Sequence, residues 1–322
     1  MIFVYLFLIF LFSLLLIKAT DILIINLKAL AKASRMGDFV VTTLILALAT
    51  SLPEFFVGIT SALEGQPNLS LGNVAGSNIA NISLVIGGAA LIGGSFAVKG
   101  VFLRRDVFYA FLAGAAPLIL LLDRSLSRVD GLILLALYGF YNVWVLAERR
   151  KEMAQIEEKG IVSRLLRRLN HQGTRRELGW IFLGMALLLF SADMIVNLAT
   201  KITLGVQIPI FLVGLFLVSI GTTLPELAFE IKVVREQKSS MVFGNLLGSI
   251  VANGTLIIGV VSLISPIKIQ AFEEYLLATV TYVVIFSIFY YFIRTKRRLE
   301  RWEGAFLIGF YLAFVLAEFV HP

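Results

Sequence analysis

Long apolar runs separated by short polar links dominate this chain. A helix that crosses a bilayer needs about 20 mainly apolar residues. Ten runs fit, at 1–27, 38–63, 69–95, 106–122, 129–147, 177–200, 207–231, 241–265, 272–293 and 303–320. The pattern predicts an all-α integral membrane protein with ten transmembrane helices. The first run lacks a basic leader and a small-residue cleavage site, and it continues through Lys18 and Asp21. It therefore reads as a retained helix, not a signal peptide. The one long link, 148–176, is dense in charges of both signs and reads as a solvated, partly helical linker.

Composition narrows the class further. The chain is 59% hydrophobic and 15% charged, with mean hydropathy +0.92, whereas soluble domains carry about 25% charged residues. It has no cysteine, which excludes disulfides, a thiol nucleophile, Cys-ligated zinc and iron–sulfur clusters. Its two histidines, His171 and His321, lie in the linker and at the C-terminus, so neither a His-based triad nor a His metal site is expected.

The basic residues set the orientation. With ten spans, 23 Lys and Arg fall in links on one face and only 4 on the other, with Lys18 inside the first run. By the positive-inside rule the rich face is cytoplasmic. That predicts extracellular termini, a cytoplasmic central linker and a plasma-membrane location. The net charge of +7 then reports topology, and no nucleic-acid partner is expected.

The chain also repeats itself. ALATSLPEFFVGITSALEG (47–65) matches SIGTTLPELAFEIKVVREQ (219–237), and LGNVAGSNIANISLVIGG (71–88) matches FGNLLGSIVANGTLIIGV (243–260). Thr50 pairs with Thr222, Pro53 with Pro225, Glu54 with Glu226, Ser77 with Ser249 and Asn81 with Asn253, each at an offset of 172. Asp21 and Asp193 share that offset. The expected units are 1–147 and 177–322, each of five helices. An odd number of spans makes the second unit enter from the opposite side, so the repeats are inverted. Inverted repeats are the architecture of many secondary transporters, whose substrate site lies near the midplane between them. A channel or an enzyme does not require this symmetry, and no Ser/Lys nucleophile pair sits at bilayer depth.

Glu54 and Glu226 fall in the middle of apolar runs without a Lys or Arg nearby. A carboxylate at that depth is costly and marks a functional site. Hard cations require several oxygen ligands. Thr50, Ser51, Glu54, Thr222, Thr223 and Glu226 supply them, and each Glu follows a proline that frees backbone carbonyls. Segments three and eight add Asn73, Ser77, Asn78, Asn81 and Ser83, and Asn245, Ser249, Asn253 and Thr255. Ser77–Asn81 and Ser249–Asn253 are spaced i, i+4, on one helix face. The glycines at 72, 76, 87, 244, 248 and 259 are expected to permit close helix packing. Two buried acids carry a charge of −2, neutralised by one divalent cation, two monovalent cations or two protons. Oxygen-only ligation favours calcium or sodium over zinc or copper.

On these motifs, TSLPE with GNVAGSNIAN and GTTLPE with GNLLGSIVAN, the chain resembles the calcium/cation antiporter superfamily, nearest its sodium/calcium exchanger branch. The resemblance implies alternating access, with segments one and six sliding across segments two, three, seven and eight. It implies calcium binding by Glu54 and Glu226 with backbone oxygens near Thr50 and Thr222. It also implies sodium sites that include Ser51, Ser77, Thr223 and Ser249. Many sodium/calcium exchangers carry Asp where Asn253 stands here, and the Gly-Asn-x-Pro-Glu pattern of the proton/calcium branch is absent. The expected activity is exchange of calcium for sodium, with calcium/proton exchange through the same two Glu as the alternative. No enzyme activity or resident cofactor is expected; the partners are inorganic cations and the lipid bilayer, and a monomer is plausible. Asp21 and Asp193 are expected to orient the sliding helices or to line an access path.

Overall fold

The computed structural model describes residues 2–33, 51–97, 103–153, 172–236 and 239–320. In lipid every backbone N–H and C=O must be satisfied within the protein, which leaves helices as the solution for apolar runs of this length. The helices, in order, are α1 (Ile2–Ala33), α2 (Leu52–Leu63), α3 (Pro67–Gly93), α4 (Leu103–Leu120), α5 (Arg128–Met153) and α6 (Gln172–Val206). Then come α7, with arms Ile210–Leu224 and Glu226–Arg235, α8 (239–264), α9 (Phe272–Lys296) and α10 (Arg301–Val320). Among the described residues five helices are long and apolar enough to cross a bilayer alone, and the two arms of α7 together make a sixth. The ends of the charged link are helical, since α5 runs to Met153 and α6 begins at Gln172.

Two short antiparallel ladders tie the links together. β1 (Phe96–Ala97) pairs with β4 (Arg298–Leu299), and β2 (Ser125–Leu126) pairs with β3 (Ile267–Lys268). The offset of 172 carries β1 to within one residue of β3, and β2 to within one residue of β4. One ladder therefore maps onto the other at the opposite end of the bundle, as inverted repeats demand. At the β2–β3 end, Asn68 Nδ2 donates to the Lys268 carbonyl at 3.0 Å and the Ile269 N–H to the Arg124 carbonyl at 3.0 Å. The fold is thus an all-α membrane protein of two inverted repeats.

Two apolar clusters hold the helices together, and α2, α3 and α7 contribute to both through Val57, Leu69 and Val213 on one side and Ala62, Leu71 and Phe211 on the other. Leu16, Ala19 and Leu23 of α1 lie in one apolar cluster with Leu188, Ala192 and Ile195 of α6. A second cluster joins the remaining helices. The outer faces of α1 and α6 expose Phe3, Phe7, Phe10, Phe182 and Phe190, as a bilayer-facing surface would.

Close approaches occur where small residues stand. A Cβ on Gly72 or Gly76 of α3 would collide with the Phe211 or Leu215 carbonyl of α7. Gly87 and Gly304 bring α3 against α10, and Gly131 and Gly259 bring α5 against α8. Among the described residues nothing lies within 4 Å of the Cβ position of Gly244. Its repeat partner Gly72 is clasped by the first arm of α7, and the segment equivalent to that arm, around positions 39–43, lies outside the described residues.

Candidate functional site

Local helix geometry brings the two acids inward. Ser51 precedes α2 with φ −90° and ψ 5°, and Pro53 falls in the first turn, where a missing N–H breaks no helix bond. Glu54 lies in the same first turn, where the N-terminal end of the helix dipole favours a carboxylate. In the other repeat the arms of α7 meet at 43° across Pro225, the bend expected where proline removes an i to i−4 hydrogen bond. Thr222 and Thr223 end the first arm, and Glu226 starts the second. Thr50 lies outside the described residues.

The acids make matching contacts. Ser77 Oγ donates to Glu54 Oε1 at 3.4 Å, and Ser249 Oγ donates to Glu226 Oε1 at 2.9 Å. Thr222 joins the halves, with Oγ1 at 3.4 Å from Ser77 Oγ and 3.3 Å from Asn73 Oδ1. The two acids are close enough for their charges to interact. Glu54 is 0% exposed and Glu226 1%, and no ion pair among the described residues involves either.

The helices that bear the amides are irregular at the same place in each repeat. α3 makes a π-turn at Asn81–Val85 and α8 makes one at Ala252–Ile257. Such turns displace one residue from the α-helical register and cluster at functional sites. Asn253 Nδ2 donates to Asn78 Oδ1 at 3.1 Å, which leaves Asn253 Oδ1 unpartnered. Asn81 lies beside Glu226 with its amide within reach of that carboxylate, and its Oδ1 has no partner among the described residues. Thr223 Oγ1 donates to the Ser219 carbonyl at 2.7 Å, so its proton is used locally and its lone pairs remain.

Among the described residues five buried oxygens of this group lack a hydrogen-bond partner: Ser51 Oγ, Glu54 Oε2, Asn81 Oδ1, Glu226 Oε2 and Asn253 Oδ1. Leaving a buried polar group unpaired costs about 1–3 kcal/mol. A concentration of acceptor oxygens around two carboxylates is the chemistry of a hard-cation site. Among the described residues no three Asp, Glu, His or Cys side chains form a metal-holding group, so neutral oxygens must complete any coordination.

Other predicted positions fall apart from this centre. Ser83 and Thr255 bond back to the Ile79 and Val251 carbonyls of their own helices. Asp21 is exposed, 3.8 Å from Lys18. Asp193 of α6 lies beside Glu64, which follows the last residue of α2, and Asn197 Nδ2 donates to Glu64 Oε1 at 3.4 Å. Sequence reading missed Glu64 and also Glu230, an acid one turn beyond Glu226. The available signal for Glu230 was a carboxylate near the end of the apolar run 207–231.

Comparison with known proteins agrees with this architecture. The sequence profile of the family described as "Sodium/calcium exchanger protein" matches residues 4–147 and 177–320. The chain is 25% identical to "Sodium/calcium exchanger MaX1" of Methanosarcina acetivorans, over 94% of this chain and 95% of that one. It is 30% identical to "Inner membrane protein YrbG" of Escherichia coli, over 80% and 79%. A solved structure of the sodium-calcium exchanger NCX_Mj soaked with Na+ and Sr2+ superposes with a TM-score of 0.63. That match covers 98% of this chain and 99% of the other at 25% identity.

Proposed function

We propose, from the premise that this chain belongs to the sodium/calcium exchanger protein family, that it is a secondary active antiporter exchanging Ca2+ for Na+ at a midplane site built on Glu54 and Glu226. The observation that carries this reading is the pair of repeat-related Glu–Ser contacts, buried and, among the described residues, without a basic partner and ringed by unpartnered oxygens.

In this reading Glu54 and Glu226 are the principal Ca2+ ligands, assisted by backbone oxygens at Thr50 and Thr222. Ser51, Ser77, Thr223 and Ser249 take part in the Na+ sites with the two acids. Asn81 and Asn253 offer amide oxygens where the π-turns place them. The empty site carries −2, and moving it across a low-dielectric barrier is expensive. One Ca2+ or two monovalent cations remove that charge, so the protein crosses loaded and exchange is obligatory. Alternating access follows if α1 and α6, which lie side by side in an apolar cluster that also takes in Val57 of α2, Leu69 of α3 and Val213 of α7, slide across the remaining helices. Apolar contact is non-directional, which suits a sliding surface. The repeats comprise 1–147 and 177–322, joined by the charged link. The Lys/Arg-rich face is cytoplasmic, the termini are extracellular, and the membrane is the plasma membrane. The name of the Escherichia coli relative places that protein in an inner membrane.

The test is Ca2+ uptake into proteoliposomes loaded with Na+, beside vesicles loaded with choline and carrying only a pH gradient. Uptake that requires internal Na+ supports Na+/Ca2+ exchange. Uptake that follows the pH gradient without Na+ overturns the Na+ assignment and makes the same two acids proton carriers. Glu54→Gln and Glu226→Gln should each abolish uptake while the protein still inserts. Normal transport by either variant would sink the site assignment.

A further inference from the structure

Glu230 has no part in the site described above, yet it is 0% exposed and sits in the second arm of α7. It follows Glu226 by four residues, so the two acids share a helix face and differ by about 6 Å in height. α8 runs antiparallel beside them and presents a matching pair. Ser249 Oγ contacts Glu226 Oε1 at 2.9 Å, and Asn245 Nδ2 contacts Glu230 Oε1 at 2.9 Å. The result is two rungs of a ladder that leads from the midplane towards Arg235 and the Lys/Arg-rich face.

The second rung is not a satisfied structural contact. Among the described residues Glu230 Oε2 is buried without a partner, as is Glu226 Oε2 one turn away. The two are close enough for their charges to interact, and no ion pair among the described residues involves Glu230. If helix adhesion were the only requirement, a neutral amide would meet it without a charge at this depth.

The rung also breaks the repeat. The position equivalent to Glu230 is Gly58. A Cβ there would already press on Ile257 Cγ2 at 2.9 Å and Ser70 Oγ at 3.0 Å, so the opposite half has no room for a matching carboxylate. Since among the described residues no three acids gather at one point, Glu230 is a separate stop and not a third ligand of the midplane site.

We propose that Glu230, oriented by Asn245, is a second cation-binding station one helical turn from the midplane site, used by cations that enter from or leave to the Lys/Arg-rich face only. This rests on the antiport reading. It adds that the two faces load the site by different routes, because only one of them carries a carboxylate on the way.

The experiment is Ca2+ titration of exchange from each face separately, in proteoliposomes of the full chain with known orientation. Glu230→Gln should raise half-saturating Ca2+ on the Lys/Arg-rich face about tenfold and leave the other face within twofold. An equal shift on both faces, or no shift on either, overturns the station. Glu230→Asp keeps the charge and covers the case in which the Gln variant fails to insert. It should shift the same face alone by a few-fold, and an inserted Asp variant without that asymmetry overturns the proposal. A wild-type protein that moves no Ca2+ under either gradient overturns the antiport reading and the station with it. Wild-type exchange with a symmetric response of the variants removes the station alone.

Discussion

Gly72 and Gly244 occupy the same place in the two repeats, each before an Asn, yet alanine should affect them oppositely. The helix-propensity gain of Gly→Ala, about 1 kcal/mol, applies to both and cancels in the comparison. At Gly72 the new Cβ would overlap the Phe211 carbonyl oxygen and come within 2.9 Å of the Phe211 carbonyl carbon and 3.0 Å of the Leu215 nitrogen. All three are backbone atoms, so no rotamer relieves the overlap and α3 must withdraw from α7. Overpacking of this kind costs about 1–3 kcal/mol, and the rigid obstacle places Gly72→Ala at the upper end. At Gly244 no described residue lies within 4 Å, so the described contacts leave only the propensity gain. The two variants should differ by about 3 kcal/mol, read as the difference in unfolding free energy in a mixed-micelle SDS titration. Ca2+ uptake should fall with Gly72→Ala as well. Withdrawal of α3 separates Thr222 from Asn73 and Ser77, whose contacts at 3.3 and 3.4 Å already sit near the limit for a hydrogen bond. An unchanged or raised stability of Gly72→Ala would refute the reasoning, because it would mean that α3 and α7 do not cross at Gly72.

Other outcomes are equally open to measurement. Asn253→Asp sets a carboxylate oxygen against Asn78 Oδ1 in place of the present donor at 3.1 Å, so the Asn78 amide must turn over to donate. The added charge should alter the Na+ dependence of Ca2+ uptake several-fold without changing expression, and an unchanged Na+ response would show that the position does not set selectivity. Partial burial, then the hydrogen bond and charge of Asp193, push the Glu64 carboxyl up to about 7. The protonated form therefore favours the contact between the end of α2 and α6, which is complete in mild acid and lost as pH rises through about 7. Distances between spin labels on α2 and α6 should lengthen over that interval in the wild type but not in Glu64→Gln; a wild-type distance independent of pH refutes the contact.

Apolar run length was enough to mark the helical segments, because a bilayer leaves backbone polar groups no partner outside the chain. The offset of 172 was enough to mark two units and, since five spans make an odd number, their inversion. The same offset singled out Glu54, Glu226, Ser77, Ser249, Asn81 and Asn253, which the structure gathers around one centre. Symmetry in the sequence could not say where the repeats differ in space. Asn78 accepts from Asn253, whereas its repeat counterpart is Ile250. Glu230 stands where the other half holds Gly58. A one-dimensional repeat records which residues are equivalent along the chain. Steric room and hydrogen-bond partners depend on neighbours from the other repeat, and only the tertiary structure brings those together. The π-turns at Asn81 and Asn253 belong to the same class, since the register of a buried helix is set by what it packs against.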